Sequence, residues 1–128
     1  MQRKIMLMSV FLLFTNYATA GWQIVKETRD GILYIDPESI EKNGDYVSAV
    51  SFQDFHKMQS HTDKSFLSAK FKNQYDCKNV MFRQVERMLF PENMANGELL
   101  FSENNAQNWA APQPGSSEES LLRLACTN

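Results

Sequence analysis

Ser65-Phe66-Leu67-Ser68-Ala69-Lys70-Phe71-Lys72-Asn73-Gln74-Tyr75-Asp76-Cys77 is the stretch on which the fold turns. Phe66, Leu67, Ala69, Phe71 and Tyr75 are apolar, set against Ser68, Lys70, Lys72 and Gln74. Successive side chains of a strand point to opposite sides, so this pattern predicts a half-buried strand. Tyr46-Val47-Ser48-Ala49-Val50-Ser51-Phe52 alternates in the same way and follows the turn signal Asn43-Gly44-Asp45. The residues between the two, Asp54 to Lys64, are polar and include both histidines, which predicts a loop.

Upstream, Trp22-Gln23-Ile24-Val25-Lys26 and Ile32-Leu33-Tyr34-Ile35 read as short strands joined at Arg29-Asp30-Gly31, a turn signal that predicts a hairpin. Asp36 is placed to cap a single helical turn with Pro37 at its first position, where a missing N–H costs nothing. Downstream, Lys78-Asn79 breaks the chain. Asn79 to Phe90 then carries apolar residues in both registers, so periodicity alone would allow a helix. The bracketing Cys77 and Pro91, with strands on either side, select strand. Asn96-Gly97 turns into a last short strand, Glu98 to Ser102, and Glu103 to Gly115 is expected to be loop. Ser116 with Glu119 three residues on has the capping-box spacing, and Leu121, Leu122, Leu124 and Ala125 give the helix that follows an apolar side. The sum is an α+β fold, a single antiparallel β-sheet of about five or six strands with a C-terminal helix.

The first twenty residues read differently. Arg3 and Lys4 precede a run from Ile5 to Phe14 that is apolar except for Ser9, and Ala18-Thr19-Ala20 supplies a small-x-small cleavage pattern. This predicts a cleaved signal peptide over 1–20 and a domain over 21–128. The apolar run is too short to span a bilayer, and no later segment reads as transmembrane. Removing 20 of 128 residues leaves 108, enough for one domain with one core. Removal of Arg3 and Lys4 lowers 13 basic residues to 11 against 15 acidic ones, a net charge of −4. That balance argues against nucleic acid or an anionic membrane as partner, because both demand a basic face. Export also places Cys77 and Cys126 in an oxidising compartment, where an even pair reads as one disulfide.

Chemistry-bearing motifs are sparse. His56 and His61, flanked by Asp54 and Asp63, are the only histidines and the weak candidates for a metal site. Their spacing of five suits neither one face of a helix nor one face of a strand, so a solvated segment is the simpler reading, and no metal is assigned. Asp36, Asp76 and the Ser116-Ser117 pair could be read as catalytic groups, yet no second tuned group accompanies any of them. There is no P-loop, no Gly-x-Gly-x-x-Gly, no Gly-x-Ser-x-Gly and no zinc ribbon, so neither a catalytic residue nor a cofactor is assigned. Trp22 and Trp109 are core material or anchors of a binding face, and sheet edges are ready docking surfaces.

Taken in order, Trp22, Tyr34-Ile35-Asp36-Pro37-Glu38-Ser39-Ile40, Ser68, Tyr75-Asp76-Cys77, Asn96-Gly97-Glu98, Trp109, Pro114-Gly115-Ser116 and Cys126 resemble the surface-adhesin protein E family of Gram-negative bacteria. The resemblance covers essentially the whole exported domain. It implies a small antiparallel sheet tied to a terminal helix by a Cys77–Cys126 bridge. It also implies an adhesin-type role: binding host extracellular-matrix or serum proteins such as vitronectin, laminin and plasminogen, with self-association as a homodimer. One departure stands out. The family's founding adhesin is a lipoprotein held by a cysteine just after its signal, whereas Ala20-Gly21 here has no cysteine near it. The expectation is an exported, non-enzymatic binding protein, periplasmic or at the cell surface, without a lipoprotein anchor. The alternatives are a periplasmic structural or stress-related accessory protein with a bacterial partner, or a small hydrolase or metal binder using His56 and His61.

Overall fold

The computed structural model describes residues 21–127; the expected signal peptide lies outside the described residues. The long central hairpin organises everything else. Strand β4, Tyr46–His61, pairs antiparallel with β5, Lys64–Asp76. On the other side of β4, two segments share one edge: β2, Gly31–Ile35, lies against Ser51–Phe55, and the short β3, Glu41–Asn43, against Tyr46–Ser48. Between them the chain makes the single turn expected at Asp36. The Asp36 carboxylate accepts from the Glu38 N–H at 3.0 Å, Pro37 opens a 3-10 turn, and the Asp36 N–H donates to Val50 O.

Strand β1, Gln23–Thr28, completes the expected hairpin with β2. Gly31 at its turn has no room for a side chain: a Cβ there would stand 1.9 Å from the Asp54 carbonyl oxygen. Beyond β5 come β6, Met81–Phe90, and β7, Phe101–Glu103. The sheet order is β1-β2-β4-β5-β6-β7, six strands in line, with β3 as a seventh off that path.

Two expectations are corrected here. Asp54 to Lys64 is not a loop but the tip of the β4–β5 hairpin, turning only at Thr62-Asp63. Backbone pairing of Gln59–His61 with Lys64–Phe66 sustains these strands although few of their side chains are buried. The ladder is interrupted by a large bulge, where five steps along β4, Asp54 to Gln59, face two along β5, Ser68 to Phe66. Bulges of this kind bend a strand and re-aim its side chains. The strand expected at Glu98–Ser102 is displaced to Phe101–Glu103, where the chain forms a ladder with β6 opposite Arg87–Leu89. The segment Glu103 to Gly115 is irregular but not detached. It follows the outer edge of β6 through Gln107 N–H to Gln84 O at 2.9 Å and a two-way bridge between Phe82 and Ala110.

Helix α1, Ser117–Thr127, starts as its sequence predicts, with the Glu119 N–H donating to Ser116 Oγ at 3.2 Å. It lies on one face of the sheet, where Leu121, Leu122 and Ala125 seal Leu33, Ile35, Val47, Ala49 and Tyr75 into the core. The Cys77–Cys126 disulfide joins the end of the helix to the residue that follows β5. The opposite face is closed by side chains alone: Phe52 is buried between Trp22 and Tyr34, both at 4.8 Å ring separation.

Candidate functional site

An eleven-residue helix is only about 16 Å long, too short to cover the sheet from end to end. It runs from a rim formed by Ser117 and Glu118 toward Cys126, so the core beneath it is sealed at the disulfide end. Toward the hairpin tip the same face is left open as a trough of about 620 Å³. That volume lies in the range of roughly 300–1,000 Å³ usual for ligand pockets.

Strand alternation determines which side chains line it. From β5 come Phe71 and Asn73, from β6 Gln84, Arg87 and Leu89, and from β4 Gln53. Phe55 follows Gln53 in the same alternation, and the bulge brings Phe66 against it in the far wall, where their rings meet edge to face at 5.7 Å. Gln107, held by its backbone bond to Gln84, forms the side along β6. The trough is therefore built from phenylalanines and side-chain amides in roughly equal measure.

Its electrostatics are uneven. Asp30 and Glu118 stand at the rim with no ion-pair partner among the described residues. Arg87 is engaged by Glu103 at 3.6 Å and stacks over Phe101 at 5.5 Å. Beneath the trough, Asn73 donates from Nδ2 to the Tyr75 hydroxyl at 3.2 Å, while its Oδ1 has no partner. Burial, reinforced by the negative charge of Glu118 and opposed by the Asn73 hydrogen bond, pushes the Tyr75 hydroxyl well above the ordinary phenol range. It stays protonated at any physiological pH.

The residues weighed from sequence lie elsewhere and do not converge. His56 is exposed on β4, its N–H bonded to Asp30 O, and His61 packs against Phe101 at 4.8 Å. No group of three or more His, Cys, Asp or Glu side chains able to hold a metal occurs among the described residues. Asp36 and Ser116 act as caps. Asp76 accepts from both Asn79 nitrogens, at 3.0 and 2.8 Å, which holds its carboxyl below the usual range. Trp109 is half-buried between Tyr46 and Arg83, at 5.0 and 4.6 Å, and Trp22 covers Phe52. The trough's own residues escaped sequence reasoning, with one signal available: Asn73 interrupts Phe71-x-Asn73-x-Tyr75, a polar group in the buried register of a strand.

The family model for surface-adhesin protein E matches residues 22–127, essentially every described position. The chain belongs to the surface-adhesin protein E family. Solved structures with this fold include protein E of Haemophilus influenzae, 17% identical, covering 88% of each chain with a TM-score of 0.63. Its selenomethionine form is 16% identical over 89% of this chain and 91% of that one, also at 0.63. The protein from non-typeable Haemophilus influenzae is 17% identical over 82% and 76%, at 0.61. At such identities the likeness to protein E is one of fold. Among curated proteins none matches the chain significantly in sequence. No helix among the described residues is long and apolar enough to cross a membrane.

Proposed function

We propose that this chain is an exported, non-enzymatic binding protein of adhesin type, which engages a protein partner through the open half of its helix face. The observation that carries this reading is membership of the surface-adhesin family across residues 22–127. The architecture is compatible with it: the trough is wide, mixed in polarity and open, and its polar lining is mostly side-chain amides. Host extracellular-matrix and serum proteins are the ligands to screen first.

The test has two parts. Protease treatment of intact cells, with antibody labelling of the domain, is expected to show exposure at the surface. Surface plasmon resonance with immobilised laminin, vitronectin and plasminogen is expected to show saturable binding. Protection from protease until the outer membrane is breached, with no binding to any of the three, would exclude the host-adhesin reading and direct the search to periplasmic proteins.

A further inference from the structure

We propose that the trough seats an extended peptide segment, an apolar side chain lodged among its phenylalanines and basic residues at its rim. This rests on the protein-contact reading above and specifies the chemistry of the contact.

The amide side chains carry the argument. Gln53, Asn73, Gln84 and Gln107 line the trough, and each amide both donates and accepts hydrogen bonds. A peptide group does the same. A hydrocarbon chain would desolvate these amides without pairing them, which is unfavourable. Two unmet groups sharpen the choice. Asn73 is 3% exposed and its Oδ1 lacks a donor, while the buried Nε of Arg87 lacks an acceptor. One needs an N–H and the other a C=O, and a backbone supplies both.

The walls and rim add the side-chain preferences. Phe55, Phe66 and Phe71 offer ring faces and edges to an aromatic or aliphatic residue. Glu103 already engages Arg87, so the unpaired charge at the rim is that of Asp30 and Glu118, which favours lysine or arginine beside the apolar residue.

The experiment selects phage-displayed random dodecapeptides against protein purified after export from cells expressing the full chain. A selected peptide is then labelled with fluorescein and titrated by anisotropy. The selected sequences are expected to place an aromatic or aliphatic residue next to Lys or Arg. Phe66→Ala, at the half-buried wall, is expected to weaken binding about tenfold or more. A second variant combines Asn73→Leu with Tyr75→Phe, replacing both partners of one buried hydrogen bond by apolar groups, a change that can be nearly neutral for stability. It is expected to keep its melting temperature yet bind the peptide about tenfold more weakly. Failure to select any peptide, equal binding by the wild type and both variants, or displacement of a trough-bound dye by laurate alone would each overturn the proposal. A matrix protein that bound wild type and variants alike would leave the adhesin reading standing and remove this one. Loss of peptide binding in the variants, with no matrix protein bound at all, would do the reverse.

Discussion

At the residue scale, the same type of group takes different roles according to what surrounds it. Asp54, weighed as a possible metal flank, accepts from Asn93 Nδ2 and from the Met94 N–H, both at 2.9 Å, and so pins the Asn93–Ala95 turn across the hairpin. Asp76 is half-buried, and the Asn79 side chain and backbone hold its pKa below the ordinary 3.8. The lowered native pKa means that its stabilising share is fully present above the unfolded value and disappears as pH falls through the native one. Urea unfolding of the wild type and Asp76→Asn between pH 7 and pH 2 is therefore expected to show a constant stability gap down to about pH 4, then a narrowing one. A gap that stayed constant to pH 2 would show that the Asn79 bonds do not favour the charged form.

At the element scale, α1 shows how local signals and packing cooperate. Its start was legible because Ser116 and Glu119 satisfy nearby N–H groups: Ser116 Oγ accepts from Glu119, and Glu119 Oε1 accepts from the Gly115 N–H at 3.4 Å. Ser116→Ala is expected to lower stability by about 1 kcal/mol in chemical denaturation, the usual cost of losing such a cap. The hairpin tip was not legible for the opposite reason. Gln59, Ser60 and His61 carry no strand-like apolar alternation, and they form strand only because Lys64–Phe66 folds back to pair with their backbone. Displacement of the last strand from Glu98 to Phe101 has a similar origin, since its ladder with β6 forms opposite Arg87–Leu89.

At the scale of the whole molecule, the disulfide links the sheet to the only α-helix among the described residues. Cys77 and Cys126 are 49 positions apart, and closing a loop of that length contributes about 4 kcal/mol by the chain-entropy argument. Small domains have only about 5–15 kcal/mol in total. Replacing both cysteines with alanine is thus expected to lower the urea midpoint sharply, with loss of near-ultraviolet circular dichroism at a lower temperature than in the wild type. Dithiothreitol should reproduce the effect in the wild type and leave the double variant unchanged. An unaltered midpoint would mean that α1 holds its place on Leu33, Ile35 and Tyr75 by packing alone.

Sequence by itself determined the strand period of Ser65–Cys77, the hairpin at Arg29-Asp30, the capped helix after Ser116 and the family resemblance. These rest on interactions between near neighbours or on alternation along one segment, and such information is contained in the chain's order. The trough was decided by tertiary structure. Phe66 reaches Phe55 only because a bulge removes three residues from the register, and Gln107 joins them only because an irregular segment follows β6. Its open half exists because an eleven-residue helix ends before the sheet does. None of these relations is local, and each depends on where distant strands meet.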